Sequence, residues 1–150
     1  MYGSRILRLA CADLLAADTA TLAQAADNNV LALVMADFAP SENILIAGLT
    51  LATFDGATPI LVGLNTQPTG ENPQDDSAII SLKPPAGGWR WETTGTTHLP
   101  QTIYGFALLN KALDTVLATE LLPNHQTLTA INQVIELNKV HIVLPAGSLS

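Results

Sequence analysis

Between residues 4 and 18, SRILRLACADLLAAD, the apolar positions Ile6, Leu7, Leu9, Ala10, Leu14 and Leu15 recur at helical spacing behind Ser4, a suitable N-cap. This predicts a helix, and Asp18 caps a second, alanine-rich turn that DNN ends. Past residue 28 the pattern changes to short apolar runs separated by turn residues. VLALVMA at 30–36, PILVGL at 59–64, AIISL at 78–82, WRWET at 89–93, QTIYGFALLN at 101–110 and TVLATELL at 115–122 each predict a strand. The stretch PSENILIAGLTLATFDGA, starting at Pro40, predicts a short helix and then an extended segment ending in an Asp55-Gly56 turn.

Finer patterning orients these runs. Trp89 and Trp91 are two apart, so a strand points both rings to one face and Arg90 and Glu92 to the other. IYGFALLN and TVLATELL flank KALD as an antiparallel hairpin would. INQVIELNKVHIVL fits a helix by period, but its β-branched residues and the Asn138-Lys139 turn favour two strands. NTQPTGENPQDDS, within 65–77, has the turn chemistry of an exposed loop. QTIYGFALLN leaves neither face polar, which predicts the core on one side and a neighbouring subunit on the other. The expected fold is one domain over 1–150, with a helical segment at 1–28 and a β-rich body at 29–145. Its class is mainly β, an antiparallel β-sandwich or barrel-like domain with an N-terminal α-helix.

Composition narrows the function. Charged residues are 13% and hydrophobic residues 48%, against about 25% charged in an average domain, so much of the surface is uncharged. The positive mean hydropathy of +0.31 raises the question of a membrane span. No apolar run approaches the ~20 residues that a spanning helix requires, so no membrane is expected. Arg8 and Asp13 interrupt a signal-peptide core, and no targeting segment is expected. A net charge of −7 with six basic residues argues against nucleic acid, whose binding draws its affinity from Lys and Arg on phosphates. The single cysteine, Cys11, forms no internal disulfide and reads as a small buried thiol in a reducing environment.

The residues that carry chemistry do not form a recognisable constellation. G-x-S-x-G is absent, and so are the glycine motifs that cradle phosphates. His98, His125 and His141 lack metal-ligand spacing, and Glu71, Asp75 and Asp76 match no EF-hand, so neither metal nor cofactor is expected. The chain is expected not to be an enzyme. Trp89 and Trp91 would form a sugar platform only beside clustered polar groups, so core or interface packing is the reading for them.

Three motifs add a resemblance. Asp37, Phe38 and Pro40 form a D-F-x-P-type turn after a strand, Ala52-Thr53-Phe54-Asp55-Gly56 an A-T-F-x-G segment, and Ile103-Tyr104-Gly105 an I-Y-G strand after a tryptophan strand. Over roughly residues 1–145 this resembles small structural proteins of tailed bacteriophages, of the head decoration or cement type. Ala57 and Phe106 depart from it, standing where an aromatic and a tyrosine are common. The resemblance implies a virion protein on the capsid surface, made in the host cytoplasm. Its implied partners are the major capsid protein and copies of itself, a trimer being favoured because head lattices offer threefold positions. The candidate interface residues are Trp89, Trp91, Tyr104 and Phe106. The alternatives are a tail, neck or fibre-associated protein, or a carbohydrate-binding module.

Overall fold

The structure, a computed structural model, describes residues 2–3, 29–41, 43–68 and 78–144. The helix expected over 4–18 and Cys11 lie outside the described residues. Within the expected helical segment, Tyr2–Gly3 is described and is instead a strand, β1. It is followed by β2 (Asn29–Val34), β3 (Ile60–Pro68), β4 (Ala78–Lys83), β5 (Trp89–Glu92), β6 (Gln101–Asn110), β7 (Val116–Leu128), β8 (Val134–Leu137) and β9 (Val140–Leu144). The described body is mainly β, as its short apolar runs predict, and its strands pair antiparallel.

Seven strands form one sheet in the order β1-β7-β6-β2-β3-β4-β9, and β5 and β8 form a separate ribbon. The β6–β7 hairpin forms where KALD predicts it. Asn110 sets the turn: its Oδ1 accepts from the Asp114 and Thr115 amides at 3.0 and 3.1 Å, and its own amide donates to the Thr115 carbonyl at 3.1 Å. The tail gives two strands about Asn138-Lys139, but they form no hairpin. β8 pairs with β5 and β9 with β4, so the turn carries the chain from ribbon to sheet.

Two other expectations need revision. The loop expected over 65–77 does not include its first four residues, because Asn65, Thr66, Gln67 and Pro68 continue β3 opposite Ser81, Ile80, Ile79 and Ala78; the rest of it, 69–77, lies outside the described residues. Cross-strand partners overrule local turn composition there. The helix expected after Pro40 shrinks to a 3-10 turn at Ile46–Gly48. Its N-cap, Leu45, has no side-chain oxygen for the free amides, and Gly48 follows within the same turn. The chain then runs extended beside β2, where the Met35 amide donates to the Thr50 carbonyl and the Ala52 amide to the Leu33 carbonyl, both at 2.8 Å.

β6 is central, between β2 and β7, and both its faces are buried by this chain. Ile103, Phe106 and Leu108 join Leu31, Leu33, Val62, Leu82, Leu117 and Val140 in the larger core, which the ribbon covers with Trp89, Trp91 and Ile135. Ala107 and Leu109 face the other way, with Val30, Val34 and Val116, and are packed over by Phe38 and Leu49. The second face of QTIYGFALLN therefore does not await a subunit. The excursion between β2 and β3 occupies it, and that is the physical reason for a strand apolar on both sides.

A bulge lets Ile103 share a face with Phe106, which a strict two-residue period forbids. Ile103 pairs with Gln126 and Gly105 with Leu121, so Tyr104 alone stands opposite Leu122–His125.

Candidate functional site

The four candidate interface residues are not used alike. Trp89 and Trp91 point to one face of β5, as their spacing predicts, but each is only 1% exposed and both lie inside the larger core. Phe106 is also buried, at 4%. The interface assignment for these three is corrected: β8, Phe54 and the sheet already enclose them, so no partner reaches them without unfolding the core. Of the four, Tyr104 alone is part-exposed, and its ring lies 4.3 Å from that of His125 across the bulge, tilted by 49°.

The motifs behind the resemblance instead brace one another. Phe38 lies on Gly105, where an added Cβ would come within 2.9 and 3.0 Å of the ring and also strike the Glu120 carbonyl. Gly56, at φ 108°, brings the A-T-F-x-G turn against the end of the tryptophan strand, where an added Cβ would meet the Glu92 carbonyl. The Thr94 amide closes this contact by donating to the Asp55 carbonyl at 2.8 Å. Gln101, buried at the start of β6, accepts from the Thr53 amide and donates to Thr53 Oγ1, both at 3.0 Å. The D-F-x-P turn, the A-T-F-x-G segment and the I-Y-G strand are thus frame parts: Phe38 fills the space over Gly105, and the A-T-F-x-G segment is tied to Gln101 of β6 and to the end of β5.

Other buried polar groups also serve the frame. Thr93 Oγ1 donates to the Ala130 carbonyl at 2.7 Å and accepts from the Gln133 amide at 2.9 Å, tying β5 to the turn before β8. Trp91 Nε1 donates to the Thr58 carbonyl at 3.1 Å. Trp89 Nε1 is buried with no acceptor. Among the described residues, no group of three or more His, Cys, Asp or Glu side chains converges as a metal site. Nor is any helix there long and apolar enough to cross a membrane.

What the described surface offers is apolar side chains and sparse charge. Leu45, Leu61, Ile131 and Leu113 are exposed by 69, 57, 50 and 38%. Sequence reasoning missed all four: Leu61 sits in a strand beside buried Val62, where only the pairing decides which residue points outward, while Leu45, Leu113 and Ile131 lie in turn or loop segments whose neighbours are exposed or half-buried. On the ribbon's outer face Arg90 Nη2 pairs with Glu92 Oε2 at 3.0 Å, and Arg90 stands opposite Glu136 in the ladder. At the hairpin tip the Asp114 carboxylate accepts from Asn110 Nδ2 and from Thr115 Oγ1, which lowers its pKa below the ordinary 3.8. Comparison with known proteins gives this site no precedent: no protein-family model matches the chain, and neither does a curated protein or a solved structure.

Proposed function

We infer that this chain is a non-enzymatic virion structural protein, a decoration or cement protein that stabilises a major capsid lattice. The observation that carries the reading is that the motifs of the phage-protein resemblance serve the frame, Phe38 packing on Gly105 and the A-T-F-x-G segment bonding to Gln101 of the I-Y-G strand and packing on the end of the tryptophan strand. Buried Thr93 and Gln101 likewise join loops. Low charge and exposed Leu45, Leu61 and Ile131 suit a partner bound through uncharged area. A barrel-like closure of the large sheet belongs to the same reading. It is supported by β1, which pairs with β7 and also lies against β9, the strand at the sheet's opposite edge. Helical spacing over 4–18 supports an N-terminal helix as part of the same reading.

Such cementing acts by burying apolar area across subunit boundaries, worth about 25 cal/mol per Å² before association costs, multiplied over many copies. The test compares heads with and without the protein. Heads lacking it should disrupt at lower temperature, and purified protein should restore them even at high salt, because screening leaves apolar contacts largely intact. Equal stability of the two head preparations would remove the cement reading and favour a tail, neck or fibre position.

A further inference from the structure

The β6–β7 hairpin tip combines two costs that a turn alone does not require. The Leu113 amide donates to the Asn110 carbonyl at 3.0 Å, closing a turn, and Leu113 itself takes φ 60°. This left-handed position after a hairpin turn favours glycine or asparagine, and a bulky side chain there is strained. The same leucine is 38% exposed. A lone exposed leucine is ordinary, and a lone positive φ can be a local accident. Both at one residue, on a tip stiffened by Asn110, Asp114 and Thr115, mark a side chain held out at the expense of the fold.

The flanking charges indicate what it meets. Lys111 makes no ion pair among the described residues, and only Oδ1 of Asp114 is engaged by Asn110 and Thr115. With net charge −7, a contact between copies gains where it sets a cation against an anion. The tip carries one of each, on either side of an apolar centre, so rotation about a symmetry axis makes it complementary to itself.

We propose that this tip is a contact between copies of the chain, with Leu113 packed at a symmetry axis and each Lys111 facing a neighbouring copy's Asp114. It rests on the homo-oligomer part of the functional reading and adds the surface through which copies meet. The test is sedimentation of the full chain over a concentration series, with Leu113→Asn and Lys111→Glu beside the parent. The parent should self-associate, and each variant should weaken association by about tenfold or more. Leu113→Asn should melt no lower than the parent, because asparagine relieves the strained φ, which separates lost contact from lost folding. Leu113→Gly provides a second strain-relieving variant and should behave the same way. A monomeric parent, or variants that associate as the parent does, would overturn the proposal. A monomer that still stabilises heads would sink the tip contact alone, whereas an oligomer that leaves heads unchanged would sink only the cement reading.

Discussion

Replacing Gly105 with alanine tests the frame at its tightest point. The new methyl would sit 2.9 Å from Phe38 Cε1 and 3.0 Å from Cζ, and would also run into the backbone carbonyl of Glu120. The ring can swing away, but the carbonyl is fixed in the β6–β7 ladder, where Phe106 and Glu120 are paired. Overpacking a core costs about 1–3 kcal/mol, and a backbone obstacle puts this case near about 3. Phe38→Ala should cost about 3–4 kcal/mol by leaving a gap. In the double variant the ring's share of the clash disappears, so the combined loss should fall short of the sum by about 1 kcal/mol. Urea unfolding followed by tryptophan fluorescence is a suitable assay, since Trp89 and Trp91 are both core residues. With a slope of about 2 kcal/mol per molar, Gly105→Ala should lower the midpoint by about 1.5 M. A shift corresponding to less than about 0.5 kcal/mol would show that Phe38 and Gly105 are not in the contact described.

The two tryptophans should respond unequally to phenylalanine. Trp91→Phe forfeits the bond to the Thr58 carbonyl and should cost about 1 kcal/mol more than Trp89→Phe, which removes an indole N–H that is buried without an acceptor; equal midpoints in urea would contradict this. Asp114, with its pKa lowered chiefly by Asn110 and next by Thr115, should favour the folded hairpin above pH 3.8, and that contribution should fade as pH falls on through the lowered value. Asp114→Asn should flatten this part of the acid-unfolding curve, and an unchanged curve would rule the linkage out. A peptide tag inserted after Gly70 should leave the protein soluble, because the β3–β4 ladder closes at Pro68 and Ala78 and every described pair is kept; loss of soluble protein would show otherwise.

Legibility followed sequence distance. The β6–β7 hairpin and the inward pair Trp89 and Trp91 depend on neighbours a few residues away, and periodicity captures them. The second cover of β6 does not: Phe38 and Leu49 reach Ala107 and Leu109 from far along the chain, and an apolar run says that it is buried without saying by what. Likewise Asn65–Pro68 reads as turn because its composition is turn-like, while the Ile79 and Ile80 partners that make it strand come after a long intervening stretch. The interface assignment of Trp89, Trp91 and Phe106 failed for the same reason. Large aromatics signal burial, and only the tertiary fold decides whether the burying surface is the chain's own.

The bulge in β7 bears on how far such a chain can polymerise. A β-rich protein with little charge is at risk of stacking edge to edge into fibrils, most of all when many copies are made together. Where Leu122–His125 loops out opposite Tyr104, Pro123 has no amide proton to offer, so an incoming strand finds the hydrogen-bond track interrupted midway along β7. Beyond the two residues that β1 pairs with, this part of β7 therefore offers no continuous track for a further strand.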